Sequence, residues 1–145
     1  LNEYNVSSVL SWYTGNRRLT QKETSDEKIH FILLRKAVFA WTKNKKNNDL
    51  DETWKSFQKR GLDFLKKCRN SKHKKFLVIT SAGVISMIIS QILKLPSIQF
   101  VNFHMELYNT SVSKLIFYEY GECLQLFNSL PHIEKLNNSK LITHV

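Results

Sequence analysis

Hydrophobic residues change their spacing several times along the chain, and each change marks a predicted element. From Glu27 to about Lys43, Ile29, Ile32, Leu33, Val38, Phe39 and Trp41 recur at helical intervals, with Asp26 or Ser25 available as the cap. Asn47-Asn48 interrupts that pattern, and Asp49-Leu50-Asp51-Glu52 then has the form of a capping box, in which Asp49 takes the Glu52 amide and Glu52 reaches back. Beyond it Trp54, Phe57, Gly61, Phe64 and Leu65 share one helical face, while Lys55, Lys59, Lys66 and Lys67 point elsewhere. After the basic turn Cys68 to Lys75, the run Phe76-Leu77-Val78-Ile79-Thr80 has no alternation, which predicts a short strand buried on both faces, as inside a parallel sheet. Ser81-Ala82-Gly83 turns the chain into an apolar helix from Val84 to Leu93, stopped by Leu95-Pro96.

Towards the end, Val112, Leu115 and Phe117 alternate in part within Ser111 to Tyr120, and Gly121-Glu122 then leads into Cys123 to Phe127, the pattern of a hairpin with a glycine turn. Residues 1 to 27 show no sustained period and read as a strand end followed by a long connection. Strands alternating with helices and closing on an antiparallel hairpin predict an α/β fold, a three-layer αβα sandwich around a mixed, mostly parallel sheet. Residues 1–145 are expected to form one domain.

The eighteen uncharged residues from Phe76 to Leu93, preceded by Lys74-Lys75, also have the length of a membrane span. Thr80, Ser81, Ser86, Ser90 and Gln91 place five polar side chains in that window, and Ser81-Ala82-Gly83 breaks it at its centre. A strand, a turn and a helix account for it better.

Composition narrows the picture. Apolar residues make up 42% of the 145 and aromatics 12%, far from the make-up of a disordered chain. The formal net charge of +10 is compatible with attraction to phosphate in nucleic acid, at a membrane surface or in a small anionic substrate, but a solvated basic face is the favoured reading. Its lysines are scattered among asparagines, as in Lys43 to Asn48, with little of the aromatic interleaving that stacks bases, so no nucleic-acid partner is expected. Cys68 and Cys123 stand far apart without a Cys-x-x-Cys pair, which predicts neither a disulfide framework nor a zinc site and fits a reducing, cytoplasmic setting. His30, His73, His104 and His144 have no ligand-like spacing, and no metal or other cofactor is expected. The chain opens on Leu1, with no signal-peptide pattern, and reads as a truncated start.

The junction at Ser81-Ala82-Gly83 is the most informative feature for chemistry. Small residues between a strand and a helix let backbone N–H groups at the helix N-terminus face an anion such as phosphate, although any tight strand-to-helix turn needs small residues too. The order Leu1-Asn2-Glu3, Asp51-Glu52-Thr53 with Arg60, Thr80-Ser81-Ala82-Gly83-Val84-Ile85, Asn109-Thr110-Ser111 and Asn128-Ser129-Leu130-Pro131-His132 resembles the histidine phosphatases, the phosphoglycerate mutase-like superfamily. There the corresponding segments are Leu-x-Glu, Gly-Glu-Ser with a downstream Arg, a strand ending in His-Gly-Gly-Val-Ile, Asn-x-Ser and Asn-x-x-x-His.

The resemblance implies a phosphomonoesterase or mutase-like activity on a small phosphorylated substrate, carried by a histidine of an Arg-His-Gly motif. No Arg-His-Gly occurs in this sequence, so the resemblance implies that the nucleophile and its strand lie upstream of Leu1 and that the domain is N-terminally incomplete. It assigns Glu3 as the candidate general acid and puts Ser81 at the position of the second catalytic histidine, as in members with a Thr-Ser-Gly-Gly turn. Ser81 and the Ala82 amide become the candidate phosphate-binding groups, with Ser81 alternatively an N-cap of the following helix. Glu52 is expected to cap its helix, Arg60 to pair on the surface, and His132 to serve packing or hydrogen bonding. The same fold stripped of its chemistry, a non-catalytic phosphate-binding or interaction module, is the other reading that a serine at this position permits.

Overall fold

In the computed structural model, residues 1–44, 50–136 and 139–144 are described. Helices α1 (Val6–Tyr13), α2 (Gln21–Ser25), α3 (Glu27–Lys43), α4 (Trp54–Arg69), α5 (Ala82–Ile92) and α6 (Ser97–Glu106) precede an antiparallel hairpin, β1 (Val112–Tyr118) and β2 (Gly121–Ser129), and the short helix α7 (Pro131–Glu134) follows.

Helix α3 takes the predicted bounds, and Asp26 is its cap, accepting the Ile29 amide at 3.1 Å. Helix α4 starts later than the capping-box reading expected. Thr53 is the N-cap, its hydroxyl accepting from the Ser56 amide, and Glu52 is pulled away to pair with Arg60. Asp49 lies outside the described residues. The long connection expected over residues 1 to 27 contains two helices instead. Asn5 caps α1 by accepting from the Ser8 amide, and Val6, Val9 and Leu10 form a short helical stripe whose centre, Val9, is buried. Thr20 and Glu23 form a true capping box at α2. The sequence reading assigns no element to residues 97–106, yet Pro96 leads into α6, which buries Phe100, Val101, His104 and Met105.

The core lies where α3, α4, α5 and α6 meet around Trp41, Phe57, Met87, Phe100 and Val101, all almost wholly enclosed. Tyr4 joins them, its ring 4.5 Å from that of Trp41 and edge-on to Phe57. The indole of Trp41 donates to the Glu52 carbonyl at 3.0 Å, satisfying its one polar atom. Gly61 sits mid-helix because α5 comes so close. A Cβ there would fall 2.1 Å from the Met87 methyl, so the helix-propensity cost of glycine, about 1 kcal/mol, is offset by tight packing.

The expected mostly parallel sheet does not appear. The only sheet among the described residues is the two-stranded antiparallel hairpin, and with it the expected three-layer sandwich reduces to helices beside a small sheet. The predicted strand Phe76–Thr80 is not in a ladder, and Leu77 and Ile79 are 92% and 90% exposed. Leu77 and Ile79 stand open while Phe76 and Val78, on the other side, are more than half covered, and no strand among the described residues pairs with the segment. The hairpin turn is made by Glu119 and Tyr120, since Tyr118 pairs with Gly121, and Gly121 therefore opens β2 rather than forming the turn. No helix among the described residues is long and apolar enough to cross a membrane.

Candidate active site

The first residues of the chain are tied to the start of α5 at several points. The Thr80 hydroxyl donates to the Leu1 carbonyl at 2.8 Å, and Arg60 donates to the Asn2 carbonyl at 2.7 Å. Tyr4 is locked into the aromatic core, with its hydroxyl 3.2 Å from Nε2 of His104. Between these anchors the Glu3 side chain reaches the start of α5. Its Oε2 accepts the Gly83 amide at 2.7 Å and its Oε1 accepts the Tyr4 amide at 3.1 Å, so a carboxylate sits on the N-terminus of α5, where the helix dipole favours negative charge.

Burial raises the pKa of Glu3 above the ordinary carboxyl value, against the lowering effects of the Gly83 and Tyr4 amides, Ser81 and Arg60. Desolvation wins because a carboxylate taken out of water loses more than two amide bonds and a distant guanidinium return. The same burial, with the Glu3 charge beside it, pushes the Tyr4 phenol far up.

Ser81 takes the N-cap position of α5 by backbone conformation, but its hydroxyl caps nothing. The oxygen is shut off from solvent with no hydrogen bond of good geometry, while lying near enough to Glu3 to favour its ionised form. Ser81 thus keeps an uncommitted hydroxyl beside the carboxyl that does the capping. Ala82 follows as the first helical residue and is buried; amides in the first turn have no partner within the helix. Glu3, Ser81 and Ala82 therefore converge at one helix start, although 78 residues separate Glu3 from Ser81 in the chain.

Arg60 links this site to α4. It forms a two-pronged pair with Glu52, Nε to Oε1 at 3.0 Å and Nη2 to Oε2 at 2.8 Å, and stacks over the Phe57 ring. A shallow cleft of about 400 Å³ opens beside it, lined by Leu1, Ser56, Lys59, Arg60, Asp63 and Lys67 among others. The later motifs lie elsewhere. His132 meets the Thr110 hydroxyl at 3.0 Å, a hydrogen-bonding role as expected, and Asn109 holds Thr143 and His144. Among the described residues, no three His, Cys, Asp or Glu side chains converge as a metal site.

The model of the histidine phosphatase superfamily (branch 1) matches residues 18–130, most of the chain. The protein belongs to the histidine phosphatase superfamily. No curated protein and no solved structure matches the chain well enough to add a relative. The matched span of this histidine phosphatase domain includes Ser81 and Ala82 and begins after Glu3, so the position of Glu3 rests on its contacts with Gly83 and Tyr4. Sequence reasoning weighed His104 only as a metal ligand and missed its burial, which lowers its pKa to about 4. Its spacing from Phe100 on one helical face was the available signal.

Proposed function

We propose that this chain is the larger part of a phosphomonoesterase or mutase-like domain that works through a phosphohistidine, with the nucleophilic histidine upstream of Leu1. One observation carries the reading: a partly buried carboxyl with raised pKa, Glu3, rests on the start of α5 beside a serine hydroxyl that caps nothing. A general acid must hold its proton until the leaving oxygen needs it, and burial shifts Glu3 in that direction. In this reading the phosphoryl group passes from the substrate oxygen to the histidine nitrogen while Glu3 hands its proton to that oxygen, and water then releases phosphate. Ser81 and the Ala82 amide donate to phosphoryl oxygens, with Ser81 in the place of the second histidine and supplying a neutral donor where that residue can carry charge.

The open segment Phe76–Thr80 supports a strand upstream of Leu1 that carries Arg-His-Gly, pairs with it, and completes a mostly parallel, three-layer sheet. The basic cleft along Lys59, Arg60 and Lys67 would add attraction for a small phosphorylated substrate. Two free thiols, Cys68 and Cys123, are in keeping with a reducing, cytoplasmic setting.

The neutral hydroxyl of Ser81 favours a second reading, a phosphate-binding module without turnover. Hydrolysis of an aryl phosphate by the protein extended upstream of Leu1 separates the two. An enzyme loses about a hundredfold or more in Glu3→Gln and a smaller factor in Ser81→Ala. Phosphate binding without turnover supports the module, and absence of both sinks both readings.

A further inference from the structure

Among the residues around Glu3, Gly83 stands out for what it lacks. A Cβ built on Gly83 would lie 2.1 Å from Oε1, 2.6 Å from Cδ and 2.6 Å from Oε2 of Glu3. Real side-chain carbons do not approach so closely, and the same residue's amide donates to Oε2 at 2.7 Å. The conformation of Gly83 is helical, in the first turn of α5, so nothing in its backbone calls for glycine. In a helix, alanine there would ordinarily be preferred by about 1 kcal/mol. The space is what matters.

We propose that Gly83 is a positioning residue for Glu3, its missing side chain being what lets the carboxyl seat on the start of α5 beside Ser81. Any β-carbon at position 83 must push the carboxyl off the amide. The flexible end of Glu3 swings away at little steric cost, and the helix survives. The displaced carboxyl then meets more water and loses the desolvation that raises its pKa. The charged and titratable groups around it are Arg60 from α4, which favours its ionised form, and Tyr4 beside it in the chain, which pairs with His104 from α6. The three atoms nearest the added methyl group all belong to Glu3, so the first group displaced is its carboxyl. The catalytic meaning rests on the general-acid reading above; the positioning itself does not.

The test is carboxyl titration by NMR on the 145-residue chain with 13C-labelled glutamate, together with the amide shift of residue 83 against pH. In the unaltered protein the Glu3 carboxyl titrates above the ordinary range, and the Gly83 amide follows it because they are hydrogen-bonded. Gly83→Ala is expected to return Glu3 to the ordinary carboxyl range and to uncouple the residue-83 amide. Combining it with Glu3→Asp, which draws the carboxyl back by one methylene, should restore the coupled amide shift. An unchanged titration and unchanged coupling in Gly83→Ala overturn the proposal. Should Gly83→Ala alone fail to fold, the double variant Glu3→Ala with Gly83→Ala decides: a folded double variant assigns the clash to Glu3, and an unfolded one overturns the proposal. These readouts need no turnover, so the predicted titration in this chain together with no phosphatase activity in the protein extended upstream of Leu1 would refute the enzyme reading alone.

Discussion

His104 makes the stability of this protein depend on pH in a defined window. The imidazole is 7% exposed and lies between the rings of Tyr4 and Phe100, at 5.7 and 5.8 Å. Nε2 meets the Tyr4 hydroxyl, while Nδ1 is buried with no partner among the described residues. The imidazolium would carry a hydrogen on both ring nitrogens, the one on Nδ1 with no acceptor, and its charge would be shut away from water; burial accordingly lowers the pKa from 6.5 to about 4. Because the folded value is the lower one, the unfolded chain takes up the proton first. Stability is whole above about pH 6.5, declines as pH falls through the window, and levels off below about 4. At 1.36 kcal/mol per unit, the loss by pH 4 is about 3 kcal/mol, a large share of what a small domain has. Urea denaturation at half-unit intervals from pH 7.5 to 4 measures it, with His104→Gln as the reference that keeps a polar partner for Tyr4 and cannot titrate. Carboxyls common to both proteins cancel in the difference, including Glu3, whose raised pKa acts in the opposite sense by favouring the folded state as acid neutralises it. The stability gap between the two proteins should shrink or reverse by about 3 kcal/mol between pH 6.5 and 4. A constant gap would mean that His104 is not held neutral by burial.

Other perturbations have equally definite outcomes. Phe57→Ala removes a 1% exposed ring that touches Tyr4, Trp41, Trp54 and the Arg60 guanidinium, and should cost about 3–5 kcal/mol in chemical denaturation. Thr53→Ala removes the cap of α4 and should cost about 1 kcal/mol with no change in the unfolding m-value. Asn128 adopts a left-handed φ of 54° and braces the Tyr108 amide and the Glu106 carbonyl. Asn128→Gly should be milder than Asn128→Val in thermal unfolding, since only glycine accepts that backbone freely. Equal losses would mean that the side-chain braces, rather than the backbone, dominate.

Local patterns carried much of the helical architecture. The spacing of Ile29 to Trp41 behind Asp26, and of Trp54 to Leu65, is enough to place α3 and α4, because amphipathic period and capping chemistry are properties of neighbouring residues. Ser81-Ala82-Gly83 likewise announces the start of α5. The short stripe Val6, Val9, Leu10 was too brief to stand out from a polar segment, and the cap of α4 went to Thr53 once Glu52 found Arg60, a choice that depends on a partner eight residues away.

Only the tertiary structure decided what those elements do together. Residue type alone leaves Glu3 an ordinary exposed carboxyl; its raised pKa arises because Tyr4 is buried among Trp41, Phe57 and His104, which carries its neighbour against Gly83. The run Phe76–Thr80 has the composition of a buried strand, but composition cannot supply a ladder partner, and without one Leu77 and Ile79 face outward. Periodicity sets which face of a segment is apolar; which surface covers that face, and which polar groups are shut away with it, is settled by contacts between residues far apart in the chain.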